Sequence, residues 1–158
     1  MDLKGKNYMV NTHKRLKGRC PKSNAFYTIT ICCDHRKPLF SDFVNARLIT
    51  KELYLFSKNN SINTICYVVM PDHVHWLLQL GNTPNLSNLI RKFKNITTYK
   101  LNQQNCTHGK IWQSNYYDHK VRDEKDLITQ ARYIAANPLR AGLVDNLREY
   151  PYWNSVYL

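Results

Sequence analysis

Residues 67–78 read Tyr67-Val68-Val69-Met70-Pro71-Asp72-His73-Val74-His75-Trp76-Leu77-Leu78. The apolar runs on either side of Pro71-Asp72 predict two β-strands, over residues 63–70 and 73–80, which a tight turn connects. Strands joined by so short a turn pair in opposite directions, because a parallel pair needs a long crossover. This stretch therefore predicts an antiparallel sheet.

Two histidines flank Val74 in the second of these strands. Because side chains alternate between the faces of a strand, His73 and His75 point the same way, about 6 to 7 Å apart along the strand. Val74 enters the core on the other face, together with Trp76 and Leu78, so we expect the histidine side to stay open. Two imidazoles directed at one point can hold a metal ion. The alternative is a strand whose two polar side chains face solvent.

Strands and helices alternate along the rest of the chain. Periodicity and capping residues predict a strand over 26–33, a helix that Ser41 caps and that ends at Asn59-Asn60, the two strands above, a helix from Leu86 to about Gln103, a strand over 116–121, and a helix that Asp123 caps. Pro138 ends this last helix and begins a further turn, which Gly142 closes.

The resulting order, β-α-β-β-α-β-α, indicates the fold class. We expect an α+β domain with a ferredoxin-like antiparallel β-sheet and helices packed on it, stacked on one face. A length of 158 residues fits one domain. Residues 1–22 are predicted to form a basic N-terminal arm, and residues 23–158 the single domain.

The charge of the chain points to a polyanionic partner. Lysine and arginine number 23 against 11 acidic residues, which gives a formal net charge of +12. Nucleic acid is the expected partner; the alternative is a basic protein whose charge is simply solvated. For residues 1–22, a phosphate-binding extension and a disordered tail both remain open.

The five cysteines are odd in number and show no CxxC spacing, so they support neither a disulfide framework nor a zinc ribbon and favour a reducing cytoplasm. No apolar run approaches the roughly 20 residues of a membrane helix, and no secretory h-region follows Met1. We therefore expect a soluble, cytoplasmic protein with no membrane partner.

A second group of polar residues lies on the last predicted helix. Tyr133 and Asn137 are four positions apart and so share a helix face, from which a hydroxyl and an amide would project together. His73, His75 and Asn137 would supply two nitrogens and one oxygen, a set that suits Mg²⁺ or Mn²⁺ more than structural zinc. For Tyr133 the alternative is an aromatic residue of the core or surface.

Three separated blocks of the chain resemble a known family. They are residues 67–78, Trp112-Gln113-Ser114-Asn115-Tyr116-Tyr117-Asp118-His119, and Ala131-Arg132-Tyr133-Ile134-Ala135-Ala136-Asn137-Pro138-Leu139-Arg140-Ala141-Gly142-Leu143-Val144. Together they resemble the Y1 tyrosine transposases of the HUH endonuclease superfamily, the IS200-like type, and especially the branch associated with repetitive extragenic palindromes (REP). The resemblance runs from about Phe26 to Trp153.

This resemblance implies a Y1 transposase-like catalytic domain over residues 23–158, acting as a metal-dependent single-stranded DNA endonuclease and strand transferase. Such an enzyme cuts beside DNA hairpins and forms a covalent 5′-phosphotyrosine link. His73 and His75 take the metal-ligand places and Tyr133 that of the nucleophile. Asn137 falls at the third-ligand place, where IS200-like relatives have glutamine. A monomer and a homodimer are both implied, as is a bacterial-type cytoplasmic protein that is nucleoid-associated when bound to DNA.

Further residues are candidates for DNA contact. Tyr116 and Tyr117 could stack on unpaired bases, although core packing is the alternative. His119 could contact phosphate or metal, or could be a strand-surface histidine. The predicted phosphate contacts are Arg91, Lys94, Arg122 and Arg132.

Three other classes of protein are alternatives to this family. In histidine-triad nucleotide hydrolases a third alternating histidine would fall at Leu77, where it is absent. A zinc hydrolase would need His119 or Asp72 as its third ligand. The remaining alternative is a noncatalytic basic nucleic-acid-binding domain with a vestigial metal site.

Overall fold

The structure, a computed structural model, describes residues 24–59, 62–82 and 85–157. Its elements, in order, are β1 (Phe26–Cys32), α1 (Phe43–Asn59), β2 (Ile62–Met70), β3 (His73–Leu80), α2 (Leu86–Asn105), β4 (Tyr117–Lys120), α3 (Glu124–Ala135), α4 (Asn137–Arg140) and β5 (Trp153–Ser155). The strands form one antiparallel sheet in the order β4-β1-β3-β2-β5. The predicted α+β class with an antiparallel sheet is confirmed.

The central strand β3 is buried on both of its faces. Trp76, Leu77 and Leu78 are consecutive and all fully buried, although neighbouring strand residues point to opposite sides. Trp76 and Leu78 belong to the core cluster that α1 and α2 cover. Leu77 belongs to a second cluster, which contains Leu127 and Ala131 of α3. The expectation that all helices stack on one face was therefore wrong, because α3 covers the face that carries the histidines.

An aromatic cluster fills the core between the sheet, α1 and α2. The ring centroid of Phe93 lies 5.2 Å from that of Phe56 and 5.3 Å from that of Trp76. The indole nitrogen of Trp76 donates to Thr64 at 3.0 Å, so its polar atom is satisfied in the interior. Burial of these rings fixes β3 against α1 and α2 and thereby holds its opposite, histidine-bearing face in place.

The junction between α3 and α4 follows the prediction. Asp123 caps α3 by accepting a hydrogen bond from the backbone nitrogen of Asp126 at 2.8 Å. Pro138 stands in the first turn of α4, and Gly142 has a positive φ of 66° just beyond its end. A residue with a side chain is strained at that φ, so glycine suits the reversal.

Two further details of the structure differ from the sequence analysis. Asp42, and not Ser41, caps α1, because its carboxylate accepts from the backbone nitrogens of Val44 and Asn45, both at 2.9 Å. Strand β5 was not predicted, because three residues give too little alternation to indicate a strand.

The predicted arm over residues 1–22 lies outside the described residues, and the domain bounds stay a prediction. Within 24–59, 62–82 and 85–157, no helix has both the length and the apolar character needed to cross a bilayer. The cysteines in these ranges, Cys32, Cys33, Cys66 and Cys106, are free thiols.

Candidate active site

The two histidines of β3 lie on one face of the sheet with their rings in contact. Their Nε2 atoms are 3.1 Å apart, and the ring centroids are 4.7 Å apart at an interplanar angle of 86°. The strand period accounts for the shared face, and Val74 between them is fully buried on the other side. The histidine face is not open along its whole length, because α3 packs on it beside Leu77.

Each imidazole is oriented through its Nδ1 atom. His73 Nδ1 lies 2.6 Å from Asp72 Oδ1, and His75 Nδ1 lies 2.8 Å from the hydroxyl of Thr30, its direct neighbour on β1. Arg36 forms an ion pair with Asp72 at 2.9 Å and so holds that carboxylate. Metal-binding histidines have this arrangement in general, with the second ring nitrogen bonded to a carboxylate or another polar group.

These contacts restrict where the ring protons lie. A carboxylate only accepts hydrogen bonds, so His73 donates from Nδ1 to Asp72 and has a lone pair on Nε2. A threonine hydroxyl can donate or accept, so His75 can carry its proton on either nitrogen. With the proton on Nδ1 and donated to Thr30, both Nε2 lone pairs converge on one point.

Burial keeps both rings neutral at ordinary pH. It lowers the pKa of His75 to about 3, helped by the positive charge that His73 and Arg36 would place nearby and opposed by Asp72. Burial also lowers the pKa of His73, although Asp72 raises it in part. Neutral imidazole is the form that coordinates a metal.

The pair fits a divalent cation. Two nitrogens, each about 2.1 Å from one ion and at right angles, would be about 3 Å apart, which agrees with the 3.1 Å observed between the Nε2 atoms. No group of three or more His, Cys, Asp or Glu side chains that could hold a metal occurs among the described residues.

Tyr133 projects from α3 at the edge of the packed surface. Ala131 and Ile134 of the same helix are fully buried in the cluster on the histidine face, whereas Tyr133 itself is 45% exposed. The guanidinium of Arg140 covers one side of its ring, 4.2 Å from the centroid. The ring is thus covered on one side by Arg140 and remains accessible.

Asn137 stands where α3 gives way to α4. Its Nδ2 atom donates to the carbonyl of Tyr133 at 3.0 Å and to that of Ile134 at 3.3 Å. Because carbonyls only accept, the amide nitrogen must face them, and the oxygen Oδ1 is the end that can face a ligand. In the described part of the chain, no hydrogen bond or ring contact joins Tyr133 or Asn137 to the histidine pair.

Two further predicted residues share the histidine face. Tyr117 pairs with Thr30, which in turn pairs with His75, so the three form one row across the sheet. His119 pairs with Thr28 on the same face, and its Nε2 lies 3.2 Å from Asp126. His119 therefore connects β4 to the start of α3. Both residues are exposed.

The predicted phosphate contacts separate into two places. Arg122 and Arg132 are exposed on or beside α3. Arg91 and Lys94 line a cavity on the α2 side, together with Tyr116. The ammonium of Lys94 donates to three loop carbonyls, those of Gln113 at 2.8 Å, Ser114 at 3.3 Å and Asn115 at 2.9 Å.

The orienting residues were not predicted as such. Asp72 was considered only as a zinc ligand, although its position next to His73 was a usable signal. Thr30 lies 45 residues before His75, and only the register of β1 against β3 brings them together.

Comparison with known proteins gives consistent matches. A family model described as "Transposase IS200 like" matches residues 21–137. A Haemophilus influenzae protein, whose name assigns it provisionally to the REP-associated tyrosine transposases, is 32% identical over 141 residues, which cover 80% of this chain and 76% of that protein. The REP-associated tyrosine transposase of Escherichia coli K12 is 31% identical over 88 residues, which cover 54% of this chain and 50% of that one.

One solved structure shares the fold. It is that of a REP-associated tyrosine transposase bound to a REP hairpin, with a TM-score of 0.72 and 21% identity over 85% of this chain and 79% of that chain. At this level of identity the likeness concerns the arrangement of strands and helices.

Proposed function

The chain belongs to the IS200-like transposase family, and from that premise we propose that it is a metal-dependent endonuclease and strand transferase acting on single-stranded DNA at hairpins. Its nucleophile is Tyr133, and the product of cleavage is a 5′-phosphotyrosine link. The observation that carries the metal part of the proposal is the 3.1 Å separation of two Nε2 atoms whose rings Asp72 and Thr30 orient.

The cation is held by His73 and His75, with Asn137 Oδ1 as the third ligand. An all-N/O set with no thiolate suits Mg²⁺ or Mn²⁺. When bound, the ion supplies charge stabilisation at the phosphate and orientation of its oxygens. The 3.1 Å separation of the two histidine Nε2 atoms supports this role for the pair.

The residues of the chain then perform the transfer. Tyr133 Oη forms a bond to phosphorus while the bond from phosphorus to the 3′-oxygen breaks. The phenolic proton is lost, and the departing 3′-oxygen gains a proton and leaves as a 3′-hydroxyl. Because the tyrosyl ester conserves the energy of the phosphodiester, a 3′-hydroxyl of a second strand can reverse the step. Cleavage thereby becomes strand transfer without a nucleotide cofactor.

The partner is single-stranded DNA that contains a hairpin. Support comes from the formal net charge of +12 and from the solved family member, which is bound to a REP hairpin. The site of action is the bacterial-type cytoplasm, where the protein is nucleoid-associated when bound to DNA. It acts as a monomer or as a homodimer.

The test is covalent capture. The protein is incubated with a labelled DNA hairpin carrying single-stranded flanks and with Mg²⁺ or Mn²⁺, and then denatured. We expect a denaturation-resistant adduct with the wild type and none with Tyr133→Phe. Tyr157→Phe is the matched control, because Tyr157 and Tyr133 are both 45% exposed. An adduct with Tyr133→Phe would overturn the assignment of the nucleophile.

The second candidate function is a noncatalytic DNA-binding domain with a vestigial metal site. The charge of the chain supports it equally, because phosphate contacts do not depend on cleavage. It predicts hairpin binding that is insensitive to metal, with no adduct under any condition. Alanine at both His73 and His75 separates the two functions, since it should abolish cleavage while most hairpin binding is retained.

A further inference from the structure

A cavity of about 550 Å³ lies between α2 and the loop that precedes β4. We propose that this cavity binds one unpaired base of the single-stranded DNA partner. The inference rests on the proposed function for the identity of that partner. It adds a base-binding site on the side of the sheet opposite the histidine pair.

The floor of the cavity is apolar and aromatic. Ile90, Ile111 and Trp112 line it and are buried. Tyr116 forms part of the wall, and its hydroxyl lies 2.9 Å from Ser87 Oγ, which fixes the direction of the ring. Flat apolar rings accept stacked bases regardless of base identity. The wall and floor therefore suit the face of a base.

The loop wall is fixed in advance. Lys94 donates its three ammonium hydrogens to three consecutive loop carbonyls, at residues 113, 114 and 115. The same ammonium lies 5.7 Å from the centroid of the Tyr116 ring. A cavity whose wall is already ordered loses little conformational entropy when a ligand enters.

The rim carries groups that match the edge and the phosphate of a nucleotide. Asn88, Asn95 and Asn115 line the cavity and are exposed, and an amide both donates and accepts, as base edges do. Arg91 is exposed at the same rim and can contact a phosphate. Lys94 and Lys110 also line the cavity, but their ammonium groups bind loop carbonyls and Asp34. Amides around an aromatic floor, with the exposed guanidinium of Arg91, therefore fit a nucleotide.

The edge strand β4 connects the cavity to the histidine face. Its loop leads directly into β4, the edge strand of the sheet. Tyr117 of β4 and His75 of β3 are in the same cross-strand row, two strand spacings or about 10 Å apart. A single strand that passes over the edge of β4 can therefore place a phosphate at the histidines and a base several nucleotides away in the cavity.

The experiment measures binding without cleavage. A fluorescein-labelled DNA hairpin with mixed-sequence single-stranded flanks is titrated with the full chain in EDTA, and its anisotropy is recorded. The titration is repeated with each flank nucleotide in turn made abasic. We expect one flank position at which loss of the base weakens binding about 10-fold, as base–aromatic stacking commonly does.

Variants then locate that base. Tyr116→Leu should weaken binding of the intact hairpin about 10-fold and remove the effect of the abasic change at that position. Tyr99→Leu is the matched control, because Tyr99 is on α2, is 67% exposed and does not line this cavity. If Tyr116→Leu folds poorly, Asn95→Ala at the exposed rim takes its place. This variant should weaken binding of the intact hairpin and have no effect on binding of the abasic hairpin.

The base site is overturned if no abasic position in the flanks weakens binding. It is also overturned if the loss of binding free energy caused by Tyr116→Leu and that caused by the abasic change add in full. Covalent capture by the wild type on the same hairpin reports the proposed function separately. If the adduct forms but no abasic position weakens binding, only the cavity proposal is overturned. If an abasic position weakens binding but no adduct forms, only the cleavage proposal is overturned.

Discussion

The guanidinium of Arg140 lies over the ring of Tyr133, 4.2 Å from its centroid, although seven positions separate the two residues along the chain. The contact spans the junction of two helices, since α3 ends at Ala135 and α4 begins at Asn137. A cation over an aromatic face is worth about 0.5 to 2 kcal/mol, depending on exposure. Arg140 therefore restricts the ring of the proposed nucleophile.

From this contact we predict that Arg140→Ala slows formation of the hairpin adduct roughly 2- to 30-fold, the rate equivalent of losing about 0.5 to 2 kcal/mol of ring positioning. Arg140→Lys should lie between the variant and the wild type, because it keeps the charge but loses the planar group. A time course of adduct formation measures the rates. Arg148→Ala, at another exposed arginine, is the control, and equal rates for the two alanine variants would contradict the prediction.

Asp72 provides the second prediction. Asp72→Asn keeps an oxygen for His73 but loses the charge that holds Arg36 and polarises the imidazole. We expect Mn²⁺ affinity to fall about 10- to 100-fold, the usual effect of removing an orienting carboxylate. Isothermal titration with Mn²⁺ measures it, with the exposed Asp145→Asn as control. Unchanged affinity would show that the carboxylate does not act on a metal site.

Thr30 permits a rescue design. Thr30→Val removes the hydroxyl that faces His75 Nδ1 and keeps the shape, whereas Thr30→Ser keeps the hydroxyl and loses only a methyl. We expect Thr30→Val to lower the affinity for Mn²⁺ about 10-fold or more, and Thr30→Ser to retain most of the wild-type affinity. If Val and Ser behave alike, packing and not the hydrogen bond explains the effect.

The sequence was sufficient to predict the histidine pair but not the residues that orient its rings. Alternation along one strand is a local property, and it placed His73 and His75 together. The partner of His75, Thr30, depends on which residues of β1 and β3 are opposed, and local periodicity does not contain that register. Asp72 was within reach of sequence reasoning, because it directly precedes His73.

The placement of α3 shows the second limit of sequence reasoning. Its own helical pattern and cap were predicted, yet the face of the sheet that it covers was not. The signal was the unbroken apolar run Trp76-Leu77-Leu78, since consecutive buried residues require both faces of a strand to be covered. The role of Lys94 was also beyond the sequence, because the loop carbonyls it binds are about 20 positions away.

Lys94 gives a pH-dependent prediction. Burial lowers its pKa to about 8 from about 10.5, helped by Lys110 and opposed by Cys32. Between the pH values that equal these two pKa values, Lys94 is protonated in the unfolded chain and deprotonated in the folded chain. The contribution of Lys94 to the free energy of unfolding therefore rises with pH and is lowest below pH 8.

The corresponding measurement compares the wild type with Lys94→Met by urea unfolding at pH 7 and pH 9.5. The free energy of unfolding of the wild type should rise, relative to the variant, by on the order of 1 kcal/mol between the two pH values, allowing for partial solvent screening. A difference that stays constant or falls would contradict the lowered pKa.

Leu77 and Leu78 allow stability to be separated from activity. Both are fully buried and adjacent, but Leu77 packs against α3 on the histidine face and Leu78 packs on the opposite side. Leu77→Ala and Leu78→Ala should each lower the free energy of unfolding by about 2 to 5 kcal/mol, measured in urea.

At a temperature where both variants remain folded, only Leu77→Ala should slow adduct formation, because it loosens the packing of α3, the helix that carries Tyr133, on the histidine face of the sheet. Circular dichroism confirms the folded state, and the hairpin adduct is followed with time. Similar slowing by both variants would mean that global stability sets the rate. A selective effect of Leu77 would mean that the packing of α3 on the sheet positions the nucleophile.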